Sequence, residues 1–179
     1  MFSHKDISAC VALAALAACA ANALTTSRPG EKFGRTATAQ EVAAWDISIA
    51  PSGEGLPSGS GNAKQGEAVY VAKCQACHGA KGAGRPADPL AGGIGSLRSA
   101  NPVRTVGSYW PYATTLFDYT RRAMPITNPQ SLTNDETYAV TAYLLYLNGI
   151  VAESDEMNAA SLPHVKMPNR DGFVDWSRK

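Results

Sequence analysis

Residues 74–78 read Cys-Gln-Ala-Cys-His, and Gly-Ala-Lys-Gly-Ala-Gly follows at once. Two cysteines three positions apart, with a histidine directly after the second, occur in redox dithiols, in zinc sites and at covalent haem attachment sites. Each of these sites requires different partners elsewhere in the chain. The surrounding sequence therefore decides which kind of site this is. The kind of site in turn indicates the fold.

Two of the three interpretations lack their partners. A zinc site takes four ligands, usually with a second Cys/His pair at short spacing, whereas His164 stands alone in a proline-flanked tail. A thioredoxin-type dithiol lies at a strand-to-helix junction, and no β-rich segment flanks residues 74–78. Both interpretations would also leave the histidine beside the second cysteine without a role.

A covalent haem accounts for all three side chains. Cys74 and Cys77 lie on one side of a helical turn, from which both can form thioethers with the two vinyl groups of one macrocycle. The adjacent His78 is then placed to ligate the iron. The sequence predicts one haem c, bound through Cys74, Cys77 and His78.

The flanking sequence predicts two helices that cross beside this motif. Gly66 and Tyr70 precede Cys74 by eight and four residues, one stripe of a helix in which glycine permits close approach of a second helix. That second helix is indicated by the capping box Thr133–Glu136 and by the stop at Asn148-Gly149. Its apolar stripe is formed by Val140, Tyr143, Leu144 and Leu147.

A second axial ligand is expected on the far side of the iron. Met124 ends the stretch Tyr-Thr-Arg-Arg-Ala-Met before Pro125, and a residue before proline disfavours helical geometry, so the chain must leave the helix there. At such a position the methionine thioether projects to the side of the helix end, from which it can reach the iron. The alternatives are His164 and an open or water-bound iron. With His78 and Met124 as metal ligands, the iron has no site for a substrate and exchanges single electrons.

The composition excludes some functions. The 179 residues carry a formal net charge of +1, with 45% apolar and 17% charged residues. This is ordinary for a globular protein and gives no indication of nucleic-acid binding.

The N-terminal residues predict export. Residues 1–23 have a short basic start, an alanine-rich apolar run and small residues at the end, typical of a signal peptide. Ala21-Asn22-Ala23 is one cleavage site. Alternatively, the lipobox-like Leu16–Cys19 would make Cys19 a lipid anchor, the one membrane attachment expected. Both predict a periplasmic protein. Cys10 and Cys19 then belong to the targeting segment.

The chain resembles the class I c-type cytochromes. Gly66, Tyr70, the Cys-x-x-Cys-His motif, Met124-Pro125 and the last helix follow that family's order. A narrower resemblance is carried by the stretches FGRTAT, AAWDI, GLPSGSG, LAGGIGSL, VGSYWPY, FDYTRRAMP and QSLTNDETYAVTAYLLYLN. These are similar to the cytochrome subunit of sulfane/sulfite dehydrogenases of the sulfur-oxidising (Sox) system.

The resemblance implies an all-α fold with irregular extensions. The cytochrome c domain would span residues 61–152, between an N-terminal extension and linker (24–60) and a C-terminal tail (153–179). One departure is Asp88, which replaces the usual proline before the haem-loop leucine and leaves open which carbonyl supports His78. Some members carry a second haem, whereas this chain has a single attachment motif.

The family implies an electron carrier rather than an enzyme. Its haem subunit accepts electrons from a molybdenum-cofactor subunit that oxidises sulfur compounds, and passes them to a downstream redox protein. The alternatives are a freestanding periplasmic cytochrome shuttling between enzymes, and a haem enzyme or gas sensor with an open site.

Several residues outside the motif have two interpretations. The extensions either wrap the protein's own core or dock on the catalytic subunit. One pair is Tyr109 and Trp110, which either form hydrogen bonds with a haem propionate or simply pack against other side chains. Arg121 and Arg122 either pair with propionates or form a solvated helix end.

Overall fold

The structure is a computed structural model that describes residues 34–174 and 176–178. The predicted signal peptide and both of its cleavage alternatives lie outside the described residues. The chain divides into two compact units after Ala43. In the described part of the chain, no helix is both long and apolar enough to cross a membrane.

The described residues are mostly helical, as predicted. The regular elements are helices α1 (Ala39–Trp45), α2 (Ala63–Lys73), α3 (Gln75–His78), α4 (Ala113–Ala123) and α5 (Asn134–Leu147), and strands β1 (Ser60–Gly61) and β2 (Met157–Asn158). Four short 3₁₀ segments occupy Ala80–Gly82, Ser96–Arg98, Leu162–His164 and Trp176–Arg178.

Side-chain caps define where the two central helices begin. At α2, the Asn62 side chain accepts a hydrogen bond from Gln65 N while Gln65 accepts one from Asn62 N. At α5, Thr133 and Glu136 make the same reciprocal pair, which confirms the predicted capping box. These caps satisfy amide groups that the first turn of a helix leaves without partners.

The crossing of α2 and α5 forms the centre of the fold. A Cβ atom built on Gly66 would overlap the Ala139 carbonyl oxygen and lie 2.8 Å from Cβ of Tyr143. Only a glycine therefore allows the two backbones to approach so closely, as the sequence predicted. Tyr70 is fully buried at the crossing, with its ring centroid 5.3 Å from that of Tyr143.

The segment before α2 packs on the helical core. Ile49 is buried, and its amide donates to Asp118 Oδ1 on α4 at 3.1 Å. Tyr138 on α5 donates its hydroxyl hydrogen bond to the carbonyl oxygen of Pro57 at 2.9 Å. Because these bonds join residues more than sixty positions apart, this segment is an integral part of the helical core.

The tail also returns to the core. Strand β2 pairs antiparallel with β1, with Ser60 opposite Asn158 and Gly61 opposite Met157. Leu162 is fully buried and Met167 nearly so. The residues on either side of the helical core are thus joined by one short ladder.

Candidate functional site

A cavity of about 600 Å³ opens between the Cys-x-x-Cys-His motif, α4 and α5. The four predicted site residues, Cys74, Cys77, His78 and Met124, all line it. Most of the remaining wall is apolar, and its size is typical of a pocket for an organic cofactor. The other lining residues include Tyr70, Leu90, Val106, Trp110, Leu116, Tyr119, Thr120, Pro125, Ile126, Val140 and Leu144.

The two cysteines lie where α2 ends and α3 begins. Cys74 ends α2 with non-helical torsion angles (φ −121°, ψ −36°) and starts the four-residue α3 that contains Cys77. Cys74 is half-buried and Cys77 exposed, and both are free. Burial raises the pKa of the Cys74 thiol to about 11. The attacking thiol of a redox dithiol has a lowered pKa, so this burial does not favour Cys74 in that role.

The orientation of His78 is fixed by a backbone acceptor. Its Nδ1 lies 2.9 Å from the carbonyl oxygen of Asp88. Because a carbonyl oxygen only accepts, Nδ1 carries the proton and donates it, which leaves the lone pair on Nε2. That is the tautomer in which histidine binds a metal ion.

The loop that supplies this carbonyl is tied to the motif itself. Gly84 N donates to the carbonyl oxygen of His78 at 2.7 Å, and Ala87 N donates to that of Cys77 at 2.9 Å. The sequence left open which carbonyl supports His78, and the structure identifies it as that of Asp88. Because the acceptor is a main-chain carbonyl, it does not depend on the aspartate side chain.

Met124 occupies the position at which α4 ends. Its amide donates to Thr120 O at 3.1 Å, while its own torsion angles are extended (φ −119°, ψ 147°). The following Pro125 disfavours a further helical residue. This turn brings the methionine side chain to the cavity wall. His164, the alternative ligand, lies in the tail and is not among the residues that line the cavity.

The residues that the sequence offered as partners of a haem propionate differ in where the structure places them. Trp110 lines the cavity and packs edge-on against Tyr119, with ring centroids 5.7 Å apart. Arg122 pairs with Asp118 on the same helix, and Arg121 donates to the carbonyl oxygen of Ile47 at 3.4 Å. The structure thus directs both arginines to protein partners instead of the cavity.

Some functional residues gave no sequence signal. Thr120, one turn before Met124, is 6% exposed and lines the cavity. Asn148, which the sequence marked only as the end of a helix, has a buried side chain bonded to the loop after Asp88. An asparagine before a helix-ending glycine does not indicate by itself that its side chain is buried.

An all-α fold with a covalent attachment motif beside such a cavity defines a c-type cytochrome. Residues 61–144 match the family described as cytochrome c oxidase, cbb3-type, subunit III. No match was found among curated proteins.

The chain is also similar to a chain in the crystal structure of the sulfane dehydrogenase SoxCD from Paracoccus pantotrophus. The two are 42% identical with a TM-score of 0.77, and the match covers 83% of this chain and 73% of that one. The chain therefore belongs to the class I c-type cytochromes, in the same family as that SoxCD chain. It is an electron-transfer protein with covalently bound haem c.

Proposed function

We propose that Cys74 and Cys77 would attach the haem and that His78 and Met124 would ligate its iron. The four side chains line one cavity, and their chemistry is that of thioether attachment and of nitrogen and sulfur iron ligands. When bound, haem c supplies a one-electron iron couple. The side chains of this chain orient it, shield it from water and set its reduction potential.

Each of these residues has a distinct physical role. The main-chain carbonyl oxygen of Asp88 accepts a hydrogen bond from His78 Nδ1, which fixes the ring and raises the basicity of Nε2. Met124 contributes a soft thioether, which favours the reduced iron. The apolar side chains of Leu116, Val140 and Leu144 exclude water and raise the potential further.

With His78 and Met124 both bound to the iron, no position would be left for a substrate, so the chain would act as an electron carrier and not itself as a catalyst. We propose that it is the haem subunit of a periplasmic sulfur-compound dehydrogenase. It accepts electrons from a molybdenum-cofactor subunit and passes them to a downstream redox protein. The 42% identity to a chain of the sulfane dehydrogenase SoxCD carries this proposal. The targeting sequence supports export, with Cys19 as the site of a lipid anchor if the lipobox is used.

The end of the tail supplies a surface for that partner. Asn169 Nδ2 donates to the Tyr109 carbonyl oxygen at 2.8 Å, and the Phe173 ring packs edge-on against the Tyr109 ring at 5.3 Å. Phe173 and Val174 are nevertheless 53% and 68% exposed. We call Tyr109, Phe173 and Val174 the tail patch. It adjoins Trp110 in the cavity wall, so a subunit bound there lies near the haem.

The test is co-purification from the native source with this chain tagged. The expected complex contains molybdenum, and its haem α-band appears when a sulfane or sulfite substrate is added. The isolated chain should be reduced by dithionite yet show no oxidation of sulfite, thiosulfate or sulfane. A monomer that is free of molybdenum at micromolar concentration would instead establish a freestanding shuttle.

A further inference from the structure

The side chain of Asn148 joins the end of α5 to the loop that supports His78. Asn148 is 8% exposed. Its Nδ2 donates to the carbonyl oxygens of Leu144, at 2.8 Å, and Leu90, at 3.1 Å. Its Oδ1 accepts from Gly92 N at 3.0 Å. One buried amide therefore holds two points of the loop and the last turn of the helix together.

The orientation of this amide is determined by its partners. Two carbonyl oxygens face Nδ2 and one amide hydrogen faces Oδ1, so a flipped amide would leave all three bonds unmade. Space for it comes from Gly107, where a Cβ atom would lie 2.5 Å from Asn148 Oδ1. A second bond holds the same loop from the other side, since Thr105 Oγ1 donates to the Gly92 carbonyl oxygen at 2.6 Å.

The loop that Asn148 and Thr105 hold also contains Asp88, the residue whose carbonyl oxygen accepts the hydrogen bond from His78. Asp88, whose carbonyl oxygen accepts from His78 Nδ1, lies two residues before Leu90 and four before Gly92. Leu90 itself lines the cavity. With these points fixed, the Asp88 carbonyl is held at hydrogen-bond distance from the imidazole.

We propose that Asn148 is a positioning residue for the cytochrome site: through Leu90 and Gly92 it holds the Asp88 carbonyl against His78 Nδ1. This rests on the proposed function, in which His78 is an iron ligand. The strength of the bond from Nδ1 sets the basicity of the ligating nitrogen. Asn148, at the C-terminal end of α5, thus influences His78 through the loop without contacting His78 itself.

Asn148→Asp in the haem-loaded protein is the direct test. The aspartate keeps the shape but places an oxygen against the Leu90 and Leu144 carbonyls, so the loop is held less tightly, by the backbone bonds from Val106 N to Leu90 O and from Leu90 N to Gly82 O that remain. The NMR resonance of the His78 Nδ1 proton in the ferrous protein is the measurement. We expect it to move upfield and to exchange with solvent about tenfold faster relative to the amides of α2, because its hydrogen bond is weakened.

Two further variants keep the test decisive. Thr105→Val removes the second bond to the loop, together with the bond that Thr105 Oγ1 accepts from Ser108 N. A smaller effect in the same direction is expected even if Asn148→Asp does not fold. Asn134→Asp is the matched control, since Asn134 Nδ2 donates to the Ser58 carbonyl oxygen at 3.1 Å, at the other end of α5. It should leave the Nδ1 proton unchanged.

The ligand assignment is checked separately. A wild-type ferrous spectrum without low-spin histidine ligation would defeat the proposed function itself. With that ligation present, an Nδ1 proton that keeps its shift and relative exchange rate in the loop variants would overturn the role of Asn148 alone.

Discussion

At the scale of single residues, the site depends on a few atoms whose partners are fixed by the backbone. His78 has its tautomer set by the Asp88 carbonyl, and Met124 has its direction set by the end of α4. Cys74 is held at the junction of α2 and α3. Each side chain is therefore held by the backbone geometry of its own element in the position from which it would bind the haem.

The axial role of Met124 is tested by Met124→Leu, which keeps the volume and removes the sulfur. The reduction potential should fall by on the order of 100 mV because a soft ligand to the ferrous iron is lost. The vacated position should bind carbon monoxide. Spectroelectrochemistry and the optical spectrum of the ferrous protein under carbon monoxide are the measurements.

Two control variants accompany this prediction. Met167→Leu changes a methionine that is 3% exposed in the core and does not line the cavity, so it should leave carbon monoxide binding absent. His164→Ala should do the same. Carbon monoxide binding in the His164 variant, with none in the Met124 variant, would reassign the ligand.

Covalent attachment is tested by acid–acetone extraction, which should leave the haem on the polypeptide. Cys77→Ala removes one thioether, so the yield of mature holoprotein should fall strongly while the polypeptide is still exported. The haem stain of a denaturing gel compared with an immunoblot measures this ratio. Release of intact haem from the wild-type protein would contradict the attachment.

At the scale of elements, the crossing of α2 and α5 positions the attachment motif. Its closeness depends on Gly66, and its ends depend on the two capping boxes. Lys73, the last residue of α2, forms an ion pair with Glu136 of α5, with Nζ 2.9 Å from Oε1. The residue before Cys74 is thereby joined to the helix that lines the opposite wall.

Gly66→Ala is expected to destabilise the protein. On an exposed helix surface this change would stabilise by up to about 1 kcal/mol. Here the new methyl group would lie 2.5 Å from the Ala139 carbonyl carbon, and forcing the backbones apart costs about 1–3 kcal/mol. Denaturant unfolding measures the net loss. Lys64→Ala, an exposed change on the same helix, should alter the free energy of unfolding little.

Glu136 gives the helix pair a pH-dependent contribution. The Thr133 amide hydrogen bond, and next the Lys73 ammonium, hold the pKa of its carboxyl below the ordinary value of 4.5. A lowered folded-state pKa means that the stabilisation is complete above the unfolded-state value and is lost as the pH falls through the folded-state value. It should therefore be present at pH 7 and disappear in acid below pH 4.5.

The variant Glu136→Gln tests this contribution. It should lower the free energy of unfolding at pH 7 by about 0.5–1 kcal/mol, a value limited by the partial exposure of the ion pair. The difference from wild type should vanish at acid pH. Lys73→Met, alone and combined with Glu136→Gln, separates the ion pair from the helix cap. A difference independent of pH would show that the charge contributes nothing.

At the scale of the whole molecule, the extensions on either side of the helical core contribute buried side chains to that core as well as exposed ones to the surface. Removal of residues 153–179 would take away Met157, Leu162 and Met167, which are all buried. Such a truncation would confuse loss of docking with loss of folding. A truncation after Pro168 removes the tail patch side chains Phe173 and Val174 and spares the buried residues.

This shorter truncation should weaken association with the molybdenum subunit by at least about tenfold, since apolar anchors carry most of the energy of an interface. The haem spectrum and reduction potential should not change. Surface plasmon resonance against the partner subunit measures the affinity. Phe173→Ser should reproduce most of the loss, whereas Val71→Ser, which changes a residue 54% exposed on α2, should not. Equal losses would place the interface elsewhere.

The sequence alone determined the parts of this protein that depend on short-range chemistry. The spacing of Cys74, Cys77 and His78 indicated the cofactor, and the capping box and the Asn148-Gly149 stop defined α5. Glycine at position 66 indicated the crossing. These features depend on neighbours within one or two helical turns, so they can be read without knowledge of the remaining chain.

Only the tertiary structure decided how distant segments meet. It identified the Asp88 carbonyl as the partner of His78, brought Met124 to the cavity and left His164 away from it. It also directed Arg121 and Arg122 to protein partners and bonded Asn148 to the His78 loop. These outcomes depend on which polar groups become buried opposite one another, and a buried polar group takes whatever partner the packing of the whole chain provides.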